Sequence, residues 1–109
     1  MLNSISIMGR LTRDPELRQT QTGKAVANFT IACDRDHNRE ETDFIDVVAW
    51  GGTAEFVNQY FGKGQMAVVK GRLQLRKYED RDGNKRTAAE IIADNVYFGE
   101  AKRSAEPNP

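Results

Sequence analysis

Polar and apolar residues alternate along most of the chain. Over residues 3–12, Ile5, Ile7, Gly9 and Leu11 share one parity, and Ser4, Ser6, Met8 and Arg10 share the other. Successive side chains of a strand point to opposite faces, so the segment reads as a half-buried strand. Arg13-Asp14-Pro15 ends it, because proline cannot donate to a ladder. A short extended piece at 16–19 precedes a turn at Thr22-Gly23-Lys24. Residues 25–33 form a second long strand, with Ala25, Ala27, Phe29, Ile31 and Cys33 on one face. Residues 34–42 are polar and charged, and read as a flexible loop that carries His37, the single histidine.

Residues 43–50 form the third strand. Its odd positions, Ile45, Val47 and Ala49, are aliphatic and suit a core. Its even positions, Phe44, Asp46, Val48 and Trp50, set two large rings beside a carboxylate, a poor composition for a dry interior. Gly51-Gly52 ends the strand. Thr53 is the expected N-cap of a helix whose Ala54, Val57 and Phe61 recur at helical spacing, and Gly62-Lys63-Gly64 stops it.

Residues 66–78 and 86–98 are the last two strands, joined through Asp82-Gly83. The first of them splits by parity. Val69, Leu73 and Leu75 are expected to face a core, while Lys70, Arg72, Arg76 and Tyr78 face outward. The tip at 80–85 is expected to be mobile.

The order is strand, strand, strand, helix, strand, strand. This is the layout of an all-β, five-stranded OB-fold Greek-key barrel with one short helix between strands 3 and 4. Closure also removes the edges that an open sheet would expose. The 109 residues suit one domain, expected over 1–99, with a disordered C-terminal tail at 100–109.

Charge sharpens the picture through its distribution. The 16 cations balance the 16 anions. Yet residues 63–86 hold eight cations against three anions, and 34–46 hold two cations against six anions. A neutral chain can therefore carry a cationic face, although scattered charges solvate any surface. No apolar run is long enough for a membrane span, and the N-terminal residues lack a secretory pattern, so a cytoplasmic protein is expected. Lone Cys33 reads as a small buried hydrophobe.

Cations beside flat rings are what single-stranded nucleic acid requires. Phosphates offer a line of charge, and unstacked bases offer π-faces. Phe44, Trp50 and Tyr78 are the candidate stacking rings, and Arg10, Lys70, Arg72, Arg76, Lys77 and Arg86 the candidate phosphate contacts. Phe29, Phe56, Phe61 and Phe98 are assigned to packing. An enzyme is not expected. Glu40, Glu41, Asp43 and Asp46 could suggest a metal nuclease, but two fall in the polar loop and no acid–base partner stands nearby. No nucleotide-binding loop, nucleophile elbow or paired-cysteine motif is present. No cofactor, catalytic residue or metal site is expected. The alternative reading is an OB-fold assembly module whose aromatic face meets a protein partner.

Four segments carry a resemblance: SIMGRLTRDPELR at 6–18, GKAVANFTIA at 23–32, TDFIDVVAWG at 42–51 and GKGQMAVVKGRLQLRKYEDRDGNKR at 62–86. Together they resemble the bacterial single-stranded DNA-binding proteins. The resemblance implies sequence-independent binding and protection of single-stranded DNA in replication, recombination and repair, near the nucleoid. It implies a homotetramer, and stacking roles for Phe44, Trp50 and Tyr78. A further family ring, in the loop after the second strand, has no counterpart here beyond His37 or Arg35. Replicative members end in an acidic tip that recruits enzymes. This sequence ends Ala105-Glu106-Pro107-Asn108-Pro109, which suggests a shortened chain or a tail-less paralogue that does not recruit replication and repair proteins.

Overall fold

The alternating segments become six strands, and the helical spacing becomes one helix. In the computed structural model, which describes residues 1–100 apart from the Arg39 side chain, these are β1 (Ile5–Leu11), β2 (Glu16–Gln19), β3 (Ala25–Arg35), β4 (Asn38–Trp50), α1 (Gly51–Tyr60), β5 (Met66–Glu79) and β6 (Lys85–Phe98). The ladder runs β1-β5-β6-β4-β3, and β1 pairs back onto β3, so these five strands close into a barrel. β2 is an extra edge strand on β3. The β4–β6 pairing is parallel and the others are antiparallel. One short helix between the third and fourth barrel strands completes an OB-fold architecture, as the order of elements predicts.

The odd positions form the interior. Ala27, Phe29, Ile31, Val47, Ala49, Ala67, Val69 and Ile91 are essentially inaccessible to solvent. Burial of each large side chain contributes about 1.5–3 kcal/mol over leaving it in water. α1 adds Ala54 and Val57 to this core. Phe56, Phe61 and Phe98 form a ring cluster beside them, with Phe61 and Phe98 stacked at 4.7 Å. Two glycines permit closure. A Cβ on Gly9 would press into the Ala32 carbonyl, where β1 meets β3, and one on Gly71 into the Ile92 carbonyl. Gly71 follows a bulge, where Lys70 pairs with Asn95 but Gly71 with Ala93.

Four expectations change. First, Leu73 and Leu75 are 41% and 62% exposed, not buried. Beyond Gly71 no residue of β5 pairs with β1, and only β6 flanks its distal half, so no opposing layer covers them. Second, residues 34–42 are a hairpin rather than a loop. Asp34 pairs with Thr42 and Arg35 with Asn38, leaving Asp36 and His37 as its turn. The polar composition masked it, because both faces are solvated there. Third, the helix N-cap is Trp50, not Thr53, and it makes no side-chain cap bond. Gly51 takes φ +59°, a left-handed conformation, and turns the chain into the helix early. Fourth, Glu100, assigned to the tail, is bonded to the barrel: its carboxylate accepts from Arg10 Nη1 and from the Met66 amide, each at 3.2 Å. The rest of the expected tail, 101–109, lies outside the described residues.

Candidate nucleic-acid interface

Residues directly opposite on paired strands share a face. The registers Arg18–Val26–Trp50, Asn28–Val48–Ile92, Thr30–Asp46–Glu90 and Arg10–Ala32–Phe44 therefore lie on one outer face of the barrel. β5 continues it through Arg72, Gln74, Arg76 and Tyr78, opposite Ile92, Glu90, Ala88 and Arg86. All three candidate rings are on it. Phe44 is 68% exposed, Trp50 45% and Tyr78 42%. Large rings in water on the even parity, with Val47 and Ala49 buried on the odd, settle the ambiguity of β4.

Local structure positions each ring. Trp50 is the last residue of β4 and the first before α1, so its ring stands at a strand–helix corner. It lines a groove of about 670 Å³ with Arg18, Asn28, Val48, Arg76 and Glu90. Tyr78 lies on the two-stranded arm, and Arg76 places its guanidinium carbon 5.3 Å from the ring centre, a cation–π contact. Phe44 projects from β4 across from Ala32, two strands from Arg10.

The cations are spread along the same path. Arg10 donates to the Gly64 carbonyl at 2.9 Å and to Glu100 at 3.2 Å. Arg72 donates to Gln74 Oε1 at 2.9 Å. Lys70 is exposed opposite Asn95 and Ser6. Arg86 is held by Asp80 at 2.9 Å, and Arg76 pairs with Glu90 at 3.9 Å. Arg10, Arg76 and Arg86 are each more than half exposed. Such pairs contribute about 0–1 kcal/mol, so a phosphate can replace the carboxylate at little cost. Lys77 has the wrong parity: it lies opposite Thr87 on the other face of the arm. It still shares a cavity with Tyr78 and Arg86 near the arm's end.

The hairpin tip is tied rather than loose. Asp80 accepts from the Asp82 and Asn84 amides and from Arg86, and the Arg86 bond is the main cause of a carboxyl held below its usual range. Gly83 takes φ +79° in this turn.

At the other hairpin, Arg35 bridges Asp43 and Glu41. The Arg35 hydrogen bond holds Asp43 below the usual range and raises Arg35 itself. Arg35 is thus engaged, and His37 stands exposed at the turn. The acidic residues of a supposed nuclease are dispersed: Asp43 and Glu41 serve Arg35, while Asp46 accepts from Thr30 on the opposite parity. Among the described residues, no three His, Cys, Asp or Glu side chains come together to hold a metal. Burial is the first cause of a raised Cys33 thiol, whose Sγ donates to the Met8 carbonyl at 3.3 Å.

Sequence reasoning missed Asn28 and Glu90, which line the groove with Trp50. A signal existed for both. Asn28 interrupts the apolar run AVANF at an outward position, and Glu90 is the one acid in the run AAEIIA.

Comparison with known proteins agrees with this geometry. The profile of the Single-strand binding protein family matches residues 2–99. The chain is 49% identical to the single-stranded DNA-binding protein of Fusobacterium nucleatum, over 95% of this chain and 71% of the relative. It is 47% identical to single-stranded DNA-binding protein 1 of Staphylococcus aureus strain Mu50, over 95% and 69%. It is also 47% identical to single-stranded DNA-binding protein 3 of Clostridium acetobutylicum, over 89% and 70%. A barrel of OB topology, exposed rings on one face and a match across nearly every described residue together place the chain in the single-strand binding protein family.

Proposed function

We propose that the protein binds single-stranded DNA without strong sequence preference and protects it during replication, recombination and repair. One observation carries the reading: Phe44, Trp50 and Tyr78 are exposed on a single barrel face that also bears Arg10, Arg72 and Arg76. Each ring supplies a stacking platform worth about 1–3 kcal/mol per base. The cations supply the salt-sensitive part, with log affinity falling at about 0.7 per phosphate neutralised against log salt. Duplex DNA keeps its bases stacked and cannot use the rings.

The reading also includes a homotetramer, supported by family membership, and a non-enzymatic role near the nucleoid. No helix among the described residues is long and apolar enough to cross a membrane.

Trp50, the one tryptophan, reports directly. Titration with oligo-dT at low salt quenches its fluorescence, and added salt restores it. A duplex of equal length leaves it nearly unchanged. Unchanged fluorescence with oligo-dT at low salt would overturn the reading.

A further inference from the structure

Asn28, Val48, Arg76 and Glu90 line both the groove beside Trp50 and a second cavity of about 160 Å³. Two acceptors at this shared floor have no donor. The Glu90 side chain is only 14% exposed, and its single described polar contact is Arg76 Nε at 3.9 Å, beyond hydrogen-bond reach. Its cross-strand neighbour is Asp46, a second carboxylate. Asn28 Oδ1 is buried with no hydrogen-bond partner among the described residues. Buried acceptors without donors are costly and rare, and a carboxylate in a groove that faces phosphates repels them. Both features are liabilities for a surface that grips only the DNA backbone. They are assets for a surface that meets the N–H groups of a base.

We propose that the groove beside Trp50 reads the edge of one nucleobase and favours guanine. The inference rests on the single-stranded DNA reading above. Guanine presents N1–H and N2–H side by side, a match for the two oxygens of Glu90. Its O6 and N7 accept from a guanidinium fork, and Arg76 and Arg18 line the same groove. Cytosine and adenine each offer one exocyclic amine. Thymine offers a single N–H flanked by two carbonyl oxygens, which would face the lone pairs of Glu90 and Asn28. The Trp50 ring accepts any base, because every base has a π-face. Stacking thus supplies affinity, and Glu90 with Asn28 supplies choice. As the base enters, Arg76 moves from Glu90 towards the base or the phosphate.

The test compares three oligonucleotides of about 16 nucleotides, the upper range for one OB fold. One is oligo-dT, one carries guanine at every fourth position, and one carries inosine there. Inosine lacks only the N2 amine. Lithium buffer prevents four-stranded guanine structures. The expected result is about five-fold or tighter binding of the guanine strand over oligo-dT, within the range of one good base contact. Inosine loses most of that gain. In Glu90→Gln the guanine-to-inosine ratio falls towards one, while oligo-dT affinity rises because an anion has left the groove. Equal binding of the guanine and inosine strands by the native protein overturns the proposal, as does a ratio that Glu90→Gln leaves unchanged. If Glu90→Gln misfolds, the native guanine-to-inosine comparison decides alone. Loss of oligo-dT binding in the native protein would instead overturn the single-strand reading itself, and this inference with it.

Discussion

Arg76 and Tyr78 lie two residues apart on the outer face of β5, with the guanidinium carbon 5.3 Å from the ring centre. The contact couples the two handles that a single strand offers, a charge for phosphate and a plane for a base. It also orients a ring that stands on an otherwise unsupported arm. Tyr78→Ala is expected to lower single-stranded DNA affinity about ten-fold, the middle of the range for a stacked base. Tyr78→Phe keeps the ring and should stay within a few-fold of the native protein. Arg76→Gln should reduce the slope of log affinity against log salt by about 0.7. Fluorescence titrations across salt separate the two effects.

Barrel closure depends on two glycines with no room for a side chain. Gly9→Ala and Gly71→Ala each drive a methyl group into a backbone carbonyl, of Ala32 and Ile92 respectively. A ladder cannot yield as a flexible side chain does. Each substitution is expected to cost about 1–3 kcal/mol or more in urea unfolding. Gly52→Ala is the control. Nothing lies within 4 Å of its added Cβ, and it sits in α1, so it should stabilise by about 0.5–1 kcal/mol.

Asp80 makes the arm's tip sensitive to acid. Its native pKa is lowered, chiefly by Arg86 and then by the Asn84 amide. The tip's order is therefore fully present above the value of an unfolded aspartate, about 3.9. It is lost as the pH falls through the lower native value. The Asp82 and Asn84 amide resonances should shift together on acidification in that window. Asp80→Ala should speed amide exchange at the tip at neutral pH and leave the midpoint of barrel unfolding nearly unchanged.

Arg10 and Glu100 should act in opposite directions. Arg10 is proposed to meet phosphate, and the Glu100 carboxylate contacts it at 3.2 Å. Arg10→Gln is expected to weaken oligo-dT binding a few-fold and to flatten its salt dependence. Glu100→Gln removes the competing anion and should strengthen binding by a similar factor at low salt. The gain should vanish near 1 M salt, where the screening length is about 3 Å.

Much of the fold was legible because a strand's period is short and local. The parity of β1 and β3 in the chain already separates Ile31 and Phe29 from Asn28 and Thr30. The misreadings share one cause. Leu73 and Leu75 continue the apolar parity of Val69, yet no layer of the barrel reaches them. Residues 34–42 lack alternation because both their faces meet water, and they still pair as strands. In each case the period reported the faces of a strand, but not what lay opposite them.

Residue by residue, the sequence alone determined the strand order, the single helix, the outward rings Phe44, Trp50 and Tyr78, and the cationic stretch around Arg72 and Arg76. Those features depend on neighbours along the chain and on side-chain chemistry. The tertiary structure decided which rings and charges share a groove. Asn28, Trp50, Arg76 and Glu90 come from four different strands, and only the registers of β3, β4, β5 and β6 bring them together. Register is set by closing the barrel around its core, with Gly9 and Gly71 allowing the close approach. No local pattern in the chain encodes that closure, because its energy comes from contacts between residues far apart in sequence.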